Sequence, residues 1–388
     1  MQTWLLPEYI EDILPPEARR IESLRRRLLD LFHVHGYQQV IPPMLEYLPS
    51  LMSGTGHDMD LKTFKVVDQL SGRMMGLRAD ITPQAARVDA HLLNRQGVVR
   101  LCYAGSVLHA LPEGMMQTRE PLQIGAELFG HAGLESDIEI QQLMLKALQS
   151  IGVGNVHLDI GHVGIFQALM ERGGVAAELE AALFQALQGK DVPTLAELAQ
   201  GLDDITRAAV LQLPQLYGGM EVLERAQKDL PDYPEIQHAL ADLRSIGARV
   251  AGMVGNYAFD LAELRGYHYH SGVVFAAYLP GQAHAVAKGG RYDEVGLTFG
   301  RARPATGFSM DLRVLCGALG PAAAAPAVLA PYVEDAALQE KIEALRSQGE
   351  VVVVDLPGHE DSRDELNCNR RLVHHDGQWQ IEIISLKG

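Results

Sequence analysis

Strand texture disappears from this chain at about Val163 and returns at Tyr257, and that interruption constrains the fold more than any other feature. Before it, short apolar runs bounded by turn residues read as strands: Tyr37–Ile41, Thr63–Asp68, Arg73–Leu77, Val98–Tyr103, Pro121–Gly130 and Val156–Ile160. After it come Tyr257–Leu261, Gly272–Leu279 and Ala283–Ala287, a tight turn at Gly289-Gly290-Arg291-Tyr292-Asp293, and the run Thr306–Met310. Between them, residues 163–249 are rich in Ala, Leu, Glu and Gln and broken at Gly173-Gly174, Gly189, Pro193, Pro214, Gly218-Gly219 and Pro231. Helices and strands do not alternate regularly, which disfavours a doubly wound parallel sheet. The expectation is an α+β fold: residues 1–162 and 250–320 form one antiparallel sheet flanked by helices, and 163–249 are a helical insertion. The composition of the insertion points to packing, not chemistry.

Pro15-Pro16 opens a helix with Ile21, Leu24, Leu28, Leu31 and Phe32 at helical spacing and Gly36 as its stop. Ser136-Asp137-Ile138-Glu139 has the spacing of a capping box. The helix after it places Ile140, Leu143, Met144, Ala147, Leu148 and Ile151 on one face. Gly320-Pro321 and four alanines form a linker to residues 326–388. Those read strand (Val328–Val333), helix (Ala336–Ser347), strand (Glu350–Asp355) and a final strand pair turning at Asp376-Gly377, a small C-terminal α/β domain.

At 388 residues the chain is long for one core. No apolar run approaches the ~18–20 residues that span a bilayer. Met1–Pro7 lacks the basic and apolar regions of a signal peptide, so a cytoplasmic location and no membrane contact are expected. Cys102, Cys316 and Cys368 are scattered, against a disulfide framework or a structural zinc site. The net charge of −16 is a poor background for gripping nucleic-acid phosphates. The only dense basic cluster, Arg19-Arg20 with Arg25-Arg26-Arg27, lies on the first amphipathic helix and reads as a solvated face.

Four segments carry candidate chemistry. In Arg78-Ala79-Asp80-Ile81-Thr82, an acid and a hydroxyl make a suitable acceptor pair for an ammonium group, although alone they also read as a helix N-terminus. Gln123 and Glu127 fall on one face of a strand. The run from Leu264 to Phe275 holds Arg265 and His268-Tyr269-His270; alternate positions offer a metal only two ligands, so no metal site is expected. The fourth is Gly289–Asp293 with Tyr292.

In order and spacing these segments resemble the histidyl-tRNA synthetases, class II enzymes, over about residues 5–320 apart from the insertion. The helix, Gly36-Tyr37, the short strand, Pro42-Pro43 and Glu46 resemble the first class II signature, which implies self-association through the family's dimer interface. Arg265-Gly266-Tyr267-His268-Tyr269-His270 resembles the family's Arg-Gly-Leu-Asp-Tyr-Tyr, the most specific match, with Tyr269 on the first tyrosine and His270 replacing the second. The resemblance implies a pocket for free histidine. Asp80, Thr82 and Gln123 would hold the amino group, Glu127, Tyr292 and His270 would face the imidazole, and Arg265 would cover the carboxylate end.

The departures are as informative. The family grips ATP with an arginine and, two positions on, a glutamate; these fall on His109 and Leu111 in Leu108-His109-Ala110-Leu111. Gly307–Val314 resembles the third signature, whose terminal arginine falls on Val314. Arg313 stands one residue early, about 100° round a helix. Adenylation needs those cations to stabilise developing phosphate charge. No Walker-type loop replaces them, and the tail is shorter than the family's anticodon-reading domain. A histidine pocket without ATP or tRNA machinery resembles the regulatory subunits of ATP phosphoribosyltransferase, a family of synthetase paralogues. That resemblance implies a non-catalytic chain with no cofactor and no tRNA partner. It implies assembly with the short-form catalytic subunit, activation of that subunit, and histidine feedback on the first step of histidine biosynthesis. The competing reading is a divergent histidyl-tRNA synthetase-like amino-acid-activating enzyme; an RNA-associated regulator is disfavoured by the charge.

Overall fold

The structure, a computed structural model, describes residues 4–52, 57–112, 117–267, 269–321 and 326–384. It divides into two compact units, Arg19–Gly320 with the stretch up to Ile13, and Pro321–Gly388 with Leu14–Ala18. The helices of 163–249 belong to the same unit as the large sheet.

The first unit opens with α1 (Glu17–Val34), which buries Ile21, Leu24, Leu28 and Phe32 at helical spacing and ends at Gly36 in the left-handed region. Then follow β1 (Gln38–Gln39), β2 (Leu45–Tyr47), α2 (Leu48–Leu51), α3 (His57–Lys62), β3 (Phe64–Val67), β4 (Met74–Leu77) and α4 (Thr82–Arg87). The long hairpin β5 (Val99–Ser106) and β6 (Leu122–Phe129) leads to α5 (Leu134–Ser150) and β7 (His157–His162). The insertion supplies α6 (Val163–Arg172), α7 (Ala177–Gln188), α8 (Val192–Leu198), α9 (Asp204–Gln212), β8 (Tyr217–Gly218), α10 (Met220–Asp229) and α11 (Pro234–Val250). The chain then returns to the sheet as β9 (Asn256–Asp260), β10 (Val273–Tyr278), β11 (Ala287–Arg291) and β12 (Ala305–Asp311), and closes with α12 (Leu312–Ala318).

Among the described residues the large sheet has nine strands in the order β1-β5-β6-β12-β11-β10-β7-β9-β8. It is antiparallel except at β1/β5 and β7/β9. The expected antiparallel sheet built from two sequence halves is therefore present: β12, from the second half, pairs directly with β6, from the first. A separate three-stranded sheet, β2-β4-β3, holds the predicted hairpin around Gln69–Gly72. One main core buries α1, α5 and α11 with the sheet, and Phe32 of α1 meets the edge of Phe308 of β12 at 5.8 Å.

In the second unit β13 (Ala327–Pro331), α13 (Ala336–Ser347), β14 (Val352–Asp355), β15 (Cys368–His375) and β16 (Gln378–Ile383) form a four-stranded sheet in the order β14-β13-β15-β16. α13 packs Leu338, Ile342 and Leu345 into its small core. Asp376 and Gly377 both have positive φ, the geometry of a tight hairpin turn. The predicted linker alanines 322–325 lie outside the described residues.

Three local expectations are corrected. Ser136 does not cap a helix, because α5 already begins at Leu134; its hydroxyl donates to the carbonyls of His131 and Gly133. Glu139 instead accepts from Arg100 and Tyr37. Gly289-Gly290-Arg291 is not a turn but the heart of β11, and the strand expected at Ala283–Ala287 begins only at Ala287. Sheet packing selects glycine there: a Cβ on Gly289 would strike the Gly307 carbonyl and the Phe275 ring.

Candidate functional site

Glu127, Gly307, Gly290 and Val274 are directly opposite one another on four adjacent strands, so their side chains share one face of the sheet. Two positions away on that face lie Tyr103, Gly125, Ser309, Lys288 and Ala276. The glycines hollow the sheet. A Cβ on Gly307 would land on Oε2 of Glu127, and one on Gly290 would come within 2.8 Å of the His270 ring. The hollow is a cavity of about 530 Å³. Asp80, Thr82, Glu127, Arg265, Tyr269, His270 and Tyr292 all line it.

Glu127 is the hub. Its Oε1 accepts from the hydroxyls of Tyr103 (2.8 Å) and Thr82 (3.1 Å), and its Oε2 accepts from Tyr292 (2.5 Å). Burial pushes its carboxyl up to about 8, against the pull of the Tyr292, Tyr103 and Thr82 hydroxyls; the nearby Asp80 charge adds to the rise. An acid held near neutrality by burial is poised to share a proton with a basic ligand ring.

Gln123 is not part of the cavity wall. It holds the wall in place: its Nε2 donates to Oδ1 of Asp80 (2.7 Å), and its Oε1 accepts from the Ile81 N–H (2.8 Å). Oδ1 of Asp80 also accepts from the Thr82 N–H at 2.9 Å, which closes the turn into α4. The face shared by Gln123 and Glu127, read from strand alternation, is thus the cavity side of β6.

The loop before β10 supplies Arg265, Tyr269 and His270. Arg265 donates to Glu263 (2.9 Å) and to the Tyr278 hydroxyl (2.8 Å). His270 places Nδ1 3.1 Å from the Arg291 carbonyl, so Nδ1 carries the proton and Nε2 is an acceptor. Burial lowers this imidazole to about 4, against that backbone bond, and it is neutral at physiological pH. The Tyr269 ring lies 5.0 Å from that of Tyr292. Its hydroxyl is buried with no hydrogen-bond partner among the described residues, at the wall of the cavity. His268 lies outside the described residues.

Two supports escaped sequence reasoning. Arg291, inside the Gly-Gly-Arg-Tyr-Asp run, donates to Asp137 (2.7 Å) and Ser136 (2.8 Å) in the first turn of α5 and to Asp293 (3.2 Å), which fixes Tyr292 beside Glu127. Phe184, Gln185 and Gln188 of α7 also line the cavity, so the insertion is not only a packing module. The signal for Arg291 was an arginine directly after two strand glycines; α7 gave none.

The positions that would grip ATP are occupied differently. His109 is buried, with Nε2 3.0 Å from the Ala79 carbonyl, and Leu111 is exposed. Val314 packs against the core, and the neighbouring Arg313 donates to Glu11 of the N-terminal stretch. Arg119, on the same hairpin as His109, donates to the His109 carbonyl and stacks over Phe64.

Fold and cavity together define a class II synthetase-type domain with a cavity hollowed into its sheet and with His109 and Val314 at the positions where that class carries its adenylation cations. The family described as histidyl-tRNA synthetase matches residues 9–315, and that described as ATP phosphoribosyltransferase subunit HisZ C-terminal domain matches 325–382. A solved Bacillus halodurans protein titled ATP phosphoribosyltransferase regulatory subunit/histidyl-tRNA synthetase superposes with a TM-score of 0.82 at 28% identity, covering 94% of this chain and 96% of its own. The histidyl-tRNA synthetase of Nostoc shares the fold at 18% identity with a TM-score of 0.77, covering 95% of this chain and 91% of its own. The ATP phosphoribosyltransferase regulatory subunits of Methylobacillus flagellatus and Nitrosospira multiformis are 57% and 58% identical, each over 98% of both chains. The chain belongs to the family of ATP phosphoribosyltransferase regulatory subunits, and its role is regulatory, not catalytic. No helix among the described residues is long and apolar enough to cross a membrane.

Proposed function

We propose that this chain senses free histidine in the glycine-floored cavity and passes that signal to a short-form catalytic subunit of ATP phosphoribosyltransferase, at the first step of histidine biosynthesis. The observation that carries the reading is the pairing of Glu127, a buried acid raised to about 8, with the unsatisfied Tyr269 hydroxyl in one cavity. An imidazole is a ligand that can take a proton from such an acid and also meet a phenol. Asp80 and Thr82 receive the ammonium group, with Gln123 as the brace of Asp80. Glu127, Tyr292, Tyr269 and His270 surround the imidazole, and Arg265 covers the carboxylate.

Regulation requires that histidine bind one state of the assembled complex better than another. The chain activates its catalytic partner, associates with a second copy through the first class II signature, and works in the cytoplasm. The division into a synthetase-like domain (1–162 and 250–320), an insertion (163–249) and a C-terminal domain (326–388) is proposed as the functional one. The test is co-purification with the short catalytic subunit, followed by assay with and without histidine. Activation and histidine inhibition are expected, and Thr82→Ala should lose the inhibition while keeping the activation. A complex that histidine leaves uninhibited would refute the sensor reading.

A further inference from the structure

The outer wall of the cavity is built by the insertion. Glu180, Phe184 and Gln188 recur every fourth residue on α7 and so share one face, with Gln185 beside them. That face meets the ligand loop at Tyr267. Tyr267 donates its hydroxyl to Oε1 of Glu180 at 2.7 Å and stacks on Phe184 with centroids 5.3 Å apart. Its ring also meets the edge of Phe166 of α6 at 5.3 Å. Two residues on, the same loop turns Tyr269 toward Tyr292 and the cavity. One short loop therefore carries a tyrosine that seats the insertion and another that faces Tyr292, and both line the cavity. Just past α7, Lys190 pairs at 3.1 Å with the buried Asp260 at the end of β9, a second attachment of α7 to the sheet.

We propose that α7 is the reporting element of this site: Gln185 and Gln188 complete the wall around bound histidine, and the Tyr267–Glu180 contact couples occupancy to the seating of the insertion. This rests on the histidine reading above. Tyr267 is a positioning residue that acts through the loop. Coupling is reciprocal, so whatever loosens the seat of α7 weakens histidine binding by the same factor that histidine tightens the seat.

The test uses the full chain assembled with its short-form catalytic subunit, in four forms: wild type, Tyr267→Phe, Glu180→Ala and Glu180→Gln. Tyr267→Phe keeps the ring packing and removes only the donor; Glu180→Gln keeps an acceptor oxygen, and Glu180→Ala removes it. Histidine affinity is measured by calorimetry, and amide exchange across 177–188 with and without histidine. Histidine should slow exchange in α7 of the wild type. Tyr267→Phe and Glu180→Ala should weaken affinity by about five- to ten-fold, within the usual range of coupling between sites, and lose the ligand-dependent protection. Glu180→Gln should stay near wild type. If the wild type binds histidine but both donor- and acceptor-deleted forms bind as tightly, with α7 exchange unchanged by ligand, the coupling is refuted and the sensor reading stands. A wild type that binds no histidine refutes both.

Discussion

Two halves of one domain have been treated in opposite ways. On the cavity side, Glu127 holds three hydroxyls, Gln123 braces Asp80, glycines at 290 and 307 leave room for the acid and for His270, and the buried Tyr269 hydroxyl has no partner among the described residues. On the nucleotide side, the equivalent positions have become ordinary structure. His109 faces a backbone carbonyl, Leu111 is exposed, Val314 packs half-buried against the core, and Arg313 is bound to Glu11. If the proposed histidine site is right, steric and electrostatic detail maintains it, whereas the ATP-side positions have relaxed toward packing and solvent. The same sheet supports both, so the fold alone does not distinguish a sensor from an enzyme.

The largest expected effect is at Gly307. A methyl group there collides with Glu127, so Gly307→Ala should lower histidine affinity by about 100-fold or more, a change of roughly 3 kcal/mol by calorimetry. Next come the acceptors themselves: Glu127→Ala should abolish histidine inhibition of the complex and leave activation largely intact. Glu127→Gln tests the electrostatics separately. The folded carboxyl titrates at about 8 against 4.5 unfolded. A raised pKa means its favourable contribution is full below 4.5 and is lost as pH rises through 8. The melting temperature of Glu127→Gln should therefore gain on that of the wild type between pH 5 and pH 9; a constant difference would refute a protonated Glu127.

On the nucleotide side the expected effects are small. The triple change His109→Arg, Leu111→Glu and Val314→Arg should not restore histidine-dependent pyrophosphate exchange into ATP. Three side chains alone do not rebuild the surroundings of a nucleotide site, and robust exchange would break the contrast between the halves. Smallest of all, Arg313→Ala should leave histidine affinity unchanged. Its ion pair joins Glu11, which is largely exposed, so stability should fall by about 1 kcal/mol or less in denaturant melts.

Much of this was legible in the sequence because it was local. Strand alternation placed Gln123 and Glu127 on one face, and the interruption at Val163 predicted a sheet made of two halves. What remained hidden depends on neighbours distant in sequence. Gly289-Gly290 reads as a turn until Gly307 and Phe275 are packed against it. Gln123 was expected to touch ligand, but its reach is taken up by Asp80 and the Ile81 N–H, which only the fold brings alongside. Ser136 fits a capping box by spacing, yet Arg291 claims it from 155 residues away. The wall provided by α7 has no local signature, since Gln185 and Gln188 look like any solvated helix positions until Tyr267 draws the helix onto the cavity.

The central claim is that the amino-acid site works while the nucleotide site does not, and calorimetry of the purified chain with its catalytic subunit tests it most directly. L-histidine is titrated into the wild-type and Glu127→Ala complexes. The account predicts saturable binding by the wild type with a dissociation constant below about 1 mM and none by Glu127→Ala. No heat from the wild type at that concentration, or equal binding by both, would contradict it.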